Sequence, residues 1–249
     1  MKTELKNYWK SGGTLDLGTY PKNQQMAFSL TDIDTEERYD KDPPPHWPKY
    51  AFNYKYNSYG FRSREFDLTT DKSIILALGC SFTCGVGISF DDTWSEALGK
   101  HFPNHVVYNA GLGGASSDTV ARLAVNMIPI LKPDIVAILW PTRYRYETYS
   151  HGEKDNGTRF NGPWEKEDDL RLSFKDNNSY NNQMKNKLIV NLLNQIHGFT
   201  LLSEDLDTAM ERQGYDGWLK ARDNGHLCGA WHTELSKHYY AEYLKKRVV

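Results

Sequence analysis

The stretch from Ile74 to Ile88, I-I-L-A-L-G-C-S-F-T-C-G-V-G-I, restricts the fold more than any other part of the chain. Its first five residues are apolar on both faces, which suits a buried parallel strand and not a half-exposed one. The run stops at Gly79, and small residues follow. Ser81 then stands at the carboxyl end of the strand, the end at which open α/β sheets bind their ligands. Beyond Gly85 and Gly87, Asp91 or Asp92 can N-cap a helix whose apolar face is Trp94, Ala97, Leu98 and Phe102. The unit is a strand, a tight turn carrying a serine, a glycine-rich loop and a helix.

Spacing excludes two chemistries for this unit. A phosphate-binding loop needs G-x-x-x-x-G-K-[ST], and no Gly-Lys pair follows Gly79 or Gly85. The nucleophile elbow G-x-S-x-G fails because Thr83 stands two residues after Ser81. A serine nucleophile in a shorter turn remains, beside the plain alternative of a turn serine that bonds local backbone. Gly79-Cys80-Ser81-Phe82-Thr83 resembles the first block of the SGNH (GDSL-type) hydrolases, a strand followed by Gly-Asp-Ser-(Leu/Phe)-(Ser/Thr). Cys80 departs from that block, taking the place of its Asp.

Later segments extend the resemblance. His105 to Asn109 reads as a second parallel strand running into Asn109-Ala-Gly-Leu-Gly-Gly114-Ala-Ser116, and a helix follows from about Ser117 to Ile130 with Val120, Leu123, Ala124 and Met127 on one side. This segment is similar to the second SGNH block, N-x-(G/S)-x-x-G-x-(S/T). The resemblance implies that Gly114 offers its backbone N–H to an oxyanion, where the lack of a side chain and a helix N-terminus both help. Asp134 to Trp140 is a third buried strand. The family pattern calls for an Asn after it as a second oxyanion donor; here the segment is Pro141-Thr142-Arg143-Tyr144-Arg145, with Thr142 in the Asn position. Thr142 is the expected weaker donor. Arg143 or Arg145 supplies charge in place of the missing Asn, binds an anionic substrate group, or pairs on the surface with Glu147 and its neighbours.

Asp223-Asn-Gly-His226 is similar to the last SGNH block, Asp-x-x-His. The resemblance implies that His226 takes the proton from Ser81 and that Asp223 orients the imidazole. His232 is a rival base, since His232 to Leu244 also resembles the family tail. In that register Gly229 would occupy the Asp position and could orient nothing, so His226 is preferred. The final helix is expected from about His232 to Lys246, with Leu235, Tyr239 and Leu244 among its apolar positions and His232 as a polar residue at its start.

The rest of the chain is read more coarsely. Residues 1–70 form an extension carrying a hairpin or edge strand between Tyr50 and Phe66, with a turn at Asn57 to Gly60. Residues 71–249 form one domain with a polar excursion at about 149–182. Met184 to Ile196 reads as a helix with Leu188, Leu192 and Ile196 on its apolar face, Phe199 to Leu202 as a last strand, and Leu206 to Gln213 as a short helix. The expected architecture is a three-layer α/β/α sandwich with a parallel sheet of about five strands.

A net charge of -2 gives no footprint for nucleic acid. The 16 Tyr and 7 Trp fill the core or line a sugar-binding surface. Cys80, Cys84 and Cys228 lack a C-x-x-C pair, so buried thiols are preferred to a zinc site. No apolar signal core opens the chain and no stretch is long enough to span a membrane, so a cytoplasmic protein without a membrane partner is expected. The resemblance implies no cofactor and no metal. It implies a serine esterase acting on a small-molecule or carbohydrate ester. The alternative is a weak or inactive relative that binds carbohydrate or serves a structural role, favoured by Cys80 and Thr142.

Overall fold

The computed structural model describes residues 20–29, 34–151, 156–161, 178–214 and 217–247. In the first part, β1 (Gln25–Met26) pairs antiparallel with β2 (Tyr54–Lys55), and α1 (Glu36–Lys41) lies between them in sequence. Thr35 caps α1 by accepting from the Arg38 N–H at 3.3 Å. The strand near Tyr54 therefore pairs with a segment some thirty residues upstream, not within its own hairpin as expected. The turn at Asn57 to Gly60 explains the difference. The Asn57 side-chain oxygen accepts from the N–H groups of Tyr59 and Phe61, both at 3.0 Å, which curls the chain and leaves no extended second arm.

The main body follows in the order β3 (Ser73–Gly79), α2 (Ser81–Cys84), α3 (Trp94–Gly99), β4 (His105–Asn109), α4 (Ser117–Leu131), β5 (Ile135–Trp140), β6 (Tyr146–His151), β7 (Asn156–Asn161), α5 (Asn178–His197), β8 (Thr200–Asp205), α6 (Leu206–Gln213) and α7 (Gly229–Arg247). Strands β4, β3, β5 and β8 form one parallel sheet in that spatial order. Among the described residues it has four strands, not about five. The central pair is buried throughout: Ile75, Leu76, Leu78, Val136 and Ile138 have no exposed surface, and each such side chain contributes roughly 1.5–3 kcal/mol by leaving water.

Connection order fixes the layers. From β3 the chain steps to one side to β4, then crosses back over β3 to β5 and on to β8. Right-handed crossovers put α3 on one face of the sheet and α4 and α5 on the other. The helix contacts agree, since α3 packs against α7 and α4 against α5. Neighbouring strands β3 and β5 thus send their chains out in opposite directions, and the carboxyl ends of such a pair mark the switch point at which doubly wound sheets bind ligands.

The helices show where periodicity succeeds and where it fails. Thr93, not Asp91 or Asp92, caps α3, and the apolar face Trp94, Ala97, Leu98 and Phe102 is buried. Helix α4 starts in a capping box made by Ser116 and Thr119 and buries Val120, Leu123, Ala124 and Met127 as its spacing predicts. In α7, Leu235 and Tyr239 are buried but Leu244 is exposed. Helix α5 is turned the other way from the expectation. Leu188, Leu192 and Ile196 are 58%, 48% and 73% exposed, while Gln183, Asn186 and Val190 face inward. Asn186 donates to Ser117 Oγ (3.0 Å) and Asp118 Oδ1 (2.9 Å), and Gln183 donates to Asp205 Oδ1 (2.9 Å). The inward face of α5 thus meets acceptors on α4 and β8 with side-chain donors, and the apolar ridge is left outside.

The expected excursion at 149–182 begins in the antiparallel β6–β7 pair and ends in α5; residues 152–155 and 162–177 lie outside the described residues, as do residues 1–19. Among the described residues, no helix is long and apolar enough to cross a membrane.

Candidate active site

Close packing shapes the serine turn. A Cβ on Gly79 would overlap the Thr83 side chain and stand 2.7 Å from the Leu139 carbonyl oxygen, so only glycine lets the chain turn here between two strands. The backbone then enters α2 at Ser81 and closes at Gly85, whose N–H donates to the Ser81 carbonyl at 2.8 Å. Ser81 is 4% exposed, and its Oγ lies 2.7 Å from His226 Nε2.

The loop before α7 supplies the partner. Asp223 Oδ1 accepts from the N–H groups of Gly225 (3.0 Å) and His226 (2.9 Å), a local turn that explains why Asp and His stand three apart. Asp223 Oδ2 hydrogen-bonds His226 Nδ1. A carboxylate at Nδ1 holds the proton there and leaves the Nε2 lone pair towards the Ser81 hydroxyl, which donates to it. Burial pushes the Asp223 carboxyl up. The charge of His226 and the bonds donated by His226 and Gly225 more than offset it, holding Asp223 below the usual carboxylate range. The edge of Phe82, the residue after Ser81, packs on the His226 ring with centroids 4.7 Å apart. Ser81, His226 and Asp223 therefore form one continuous hydrogen-bonded chain.

His232 is not at this chain. It is fully buried in the core, and its Nδ1 accepts from the Trp94 N–H at 3.1 Å. His232 does lie in the first turn of α7, as expected, but it faces the interior, and burial pushes its pKa down to about 3.

The loop after β4 is fastened to the serine turn. Asn109 Nδ2 donates to the Thr83 carbonyl (2.7 Å) and to Ser95 Oγ (2.9 Å), its Oδ1 accepts from the Gly111 N–H (2.9 Å), and the Leu112 N–H reaches the Gly79 carbonyl (3.1 Å). The Gly113 N–H donates to the Tyr20 hydroxyl at 3.0 Å. Gly114 adopts φ +74°, and among the described residues neither its N–H nor that of Ser81 makes a hydrogen bond. Both remain available as donors. The anchoring role of Tyr20 carries no signal in the sequence, since it lies more than ninety residues from its partner.

The segment after β5 is looser. Gly79 pairs with Leu139, and β5 ends at Trp140, so Thr142 follows the strand that neighbours the serine turn. The Thr142 carbonyl accepts from the Arg145 N–H at 3.3 Å, and among the described residues its hydroxyl makes no hydrogen bond. Arg143 is exposed, lying over the Tyr144 ring and donating to its hydroxyl at 3.1 Å. Arg145 donates to the Ala115 carbonyl at 3.4 Å, which places it beside the Gly114 loop. Glu147 pairs with Arg122 and accepts from Thr119, each at 2.6 Å.

All three cysteines are buried free thiols. Among the described residues no group of three His, Cys, Asp or Glu side chains could hold a metal ion.

Fold and site together define a class: a doubly wound parallel α/β protein with a Ser–His–Asp chain at the carboxyl ends of its strands. No family model matches the sequence, and no curated protein does. Among solved structures there are neighbours of low identity. One is a lipase from a goat rumen metagenome, with 12% identity, a TM-score of 0.48, and 68% of this chain and 97% of that one covered. Another is a member of the lipolytic protein G-D-S-L family from Veillonella parvula, with 12% identity, a TM-score of 0.36, and coverage of 68% and 97%. A third is an acetyl xylan esterase, with 11% identity, a TM-score of 0.36, and coverage of 68% and 98%. At these identities and scores no activity is carried over, and the site is read from its own geometry.

Proposed function

We propose that this protein is a serine acyl hydrolase that cleaves a carboxylic ester, with Ser81 as nucleophile, His226 as general base and Asp223 as its orienting carboxylate. The single observation that carries the reading is the unbroken chain from Ser81 Oγ through both imidazole nitrogens to Asp223. In the acylation step Ser81 Oγ bonds to the ester carbonyl carbon while its proton passes to His226 Nε2. The negative charge on the carbonyl oxygen is taken up by the N–H groups of Ser81 and Gly114. His226 then returns the proton to the leaving alcohol, and the C–O ester bond breaks. Water, deprotonated by the same imidazole, releases the acid and restores Ser81.

In the family pattern that the sequence resembles, Thr142 takes the place of a longer amide donor, and that resemblance supports slow turnover on simple esters. The test is hydrolysis of p-nitrophenyl acetate by wild type and Ser81→Ala, with labelling by a serine-directed phosphonate. Hydrolysis lost in the variant and a label on Ser81 are expected. A label elsewhere, or equal rates for both proteins, overturns the assignment.

A further inference from the structure

The first part of the chain reaches both loops that carry the reactive groups, and it does so through a buried ion pair. Arg222 precedes Asp223. Its guanidinium donates to Asp34 through Nε (3.1 Å) and Nη2 (2.7 Å), and both side chains are essentially inaccessible. Nη2 and Nη1 also donate to the carbonyls of Ala27 (2.7 Å) and Lys49 (3.0 Å), and the guanidinium lies over the rings of Phe28 and Phe52 at 4.4 and 4.1 Å. These hydrogen bonds all end on residues 27–49, held by a planar fork.

Asp34 passes the connection on. It accepts the Tyr54 hydroxyl proton, and that hydroxyl in turn accepts from the Gly87 N–H at 2.7 Å. The Gly87 carbonyl closes the ring by accepting from the Arg222 N–H at 2.9 Å. The circuit is thus Arg222 side chain, Asp34, Tyr54, Gly87 and back to the Arg222 backbone. It ties the loop that follows Ser81 to the loop that bears Asp223 and His226. Gly87 sits at φ +79°, and a Cβ there would stand 2.9 Å from Asp223 Oδ1 and 2.8 Å from Ala221 Cβ, so the two loops touch directly at this point. Arg62 reinforces the serine side, donating to the carbonyls of Gly85 and Ile88 while lying 4.2 Å over the Tyr54 ring. Trp47 reinforces the acid side, its indole N–H donating to the Lys220 carbonyl at 3.0 Å.

From this geometry we infer that Asp34 and Tyr54 are positioning residues for the Ser81–His226–Asp223 chain, setting the separation of the two loops through the buried Arg222–Asp34–Tyr54–Gly87 circuit. Neither touches a reacting atom. They act through Arg222 and Gly87, whose backbones hold Asp223 and the serine loop in register. A buried circuit suits the task because its members have no water to exchange with, so breaking one link displaces the others.

The inference rests on the proposed role of the Ser81 chain, yet it is tested by a signal that needs no turnover. The His226 Nδ1 proton is followed by NMR with labelled histidine in wild type, Tyr54→Phe and Asp34→Asn. Asp34→Asn leaves the Arg222 charge short of its partner and loses stability. Tyr54→Phe removes one hydroxyl only and keeps the protein folded. In Tyr54→Phe the Nδ1 proton resonance should move upfield or broaden as the Asp223 bond loosens. Ester hydrolysis should fall roughly ten- to a hundredfold in kcat, the cost of a small misplacement of catalytic groups, while KM changes by less than about twofold. An unmoved His226 resonance in folded Tyr54→Phe overturns the inference, whatever happens to the melting temperature. Absence of hydrolysis in wild type overturns the proposed function instead, and the resonance still decides this one.

Discussion

The loop at 221–226 and the segment at 141–147 both lie at the carboxyl end of the sheet, and they are built to different standards. In the first, the Asp223 carboxylate has a donor on each oxygen, His226 has a partner on each nitrogen, and the buried Arg222 guanidinium is paired with Asp34. In the second, the Thr142 hydroxyl has no partner among the described residues, and Arg143 is exposed. The difference separates two tasks. Proton transfer depends on a fixed distance and tautomer, which a closed network provides before any substrate arrives. In the proposed mechanism, charge stabilisation at the second oxyanion position falls to the short Thr142 hydroxyl, so that reading makes the site more complete as a base than as an oxyanion hole.

The largest expected effect tests the complete half. Ser81→Ala should lower kcat by about four orders of magnitude or more in a p-nitrophenyl acetate assay, since its partners cannot act without it. Asp223→Asn should lower kcat by roughly a thousandfold or more, because the amide no longer holds the proton on Nδ1. A melting curve within a few degrees of wild type, with kcat almost unchanged, would show that the closed network is not what positions the base.

Smaller effects test the looser half. Thr142→Asn should raise kcat by up to about tenfold, since the longer amide adds a donor of the kind worth at least a hundredfold when fully placed. Thr142→Ala should lose little. Arg145→Ala should cost more than Arg143→Ala, because Arg145 lies beside the Gly114 loop and Arg143 folds onto Tyr144. If steady-state kinetics show no change for Thr142→Asn, position 142 does not face the oxyanion.

The smallest effect on rate is expected at the histidine outside the site. His232→Asn keeps an acceptor for the Trp94 N–H and should leave ester hydrolysis within about twofold of wild type. Its signature is in stability. The buried imidazole takes a proton only near pH 3, whereas the unfolded chain takes one near 6.5, so between those values the unfolded state binds more protons. Wild type should therefore lose stability as pH falls through this window, on the order of 1 kcal/mol per pH unit, and His232→Asn should show a flatter dependence in urea titrations. Equal slopes for the two proteins would mean that His232 titrates normally in the fold.

Much of the site was legible because its signals are local. The apolar run Ile74 to Leu78 can be satisfied only by a strand buried on both faces. The Asp223-x-x-His226 spacing closes its own turn, and the Asn109 to Ser116 segment carries its own glycines and helix cap. These features determine a parallel α/β fold and bring forward Ser81, Asp223, His226 and Gly114 before any long-range contact is known. Other features were decided only by the tertiary structure. Periodicity counts apolar residues, so it points the wrong face of α5 inward; the acceptors that face Gln183 and Asn186 lie on α4 and β8, far away in sequence. The burial of His232 is not legible, because nothing nearby in sequence reveals that Trp94 presents it with an N–H. The Arg222–Asp34 pair spans 188 residues, and no pattern along the chain links its members. Local geometry propagates over three or four residues and leaves a spacing in the sequence. Burial and hydrogen-bond satisfaction depend on which distant groups arrive together, and that is settled only when the chain has packed.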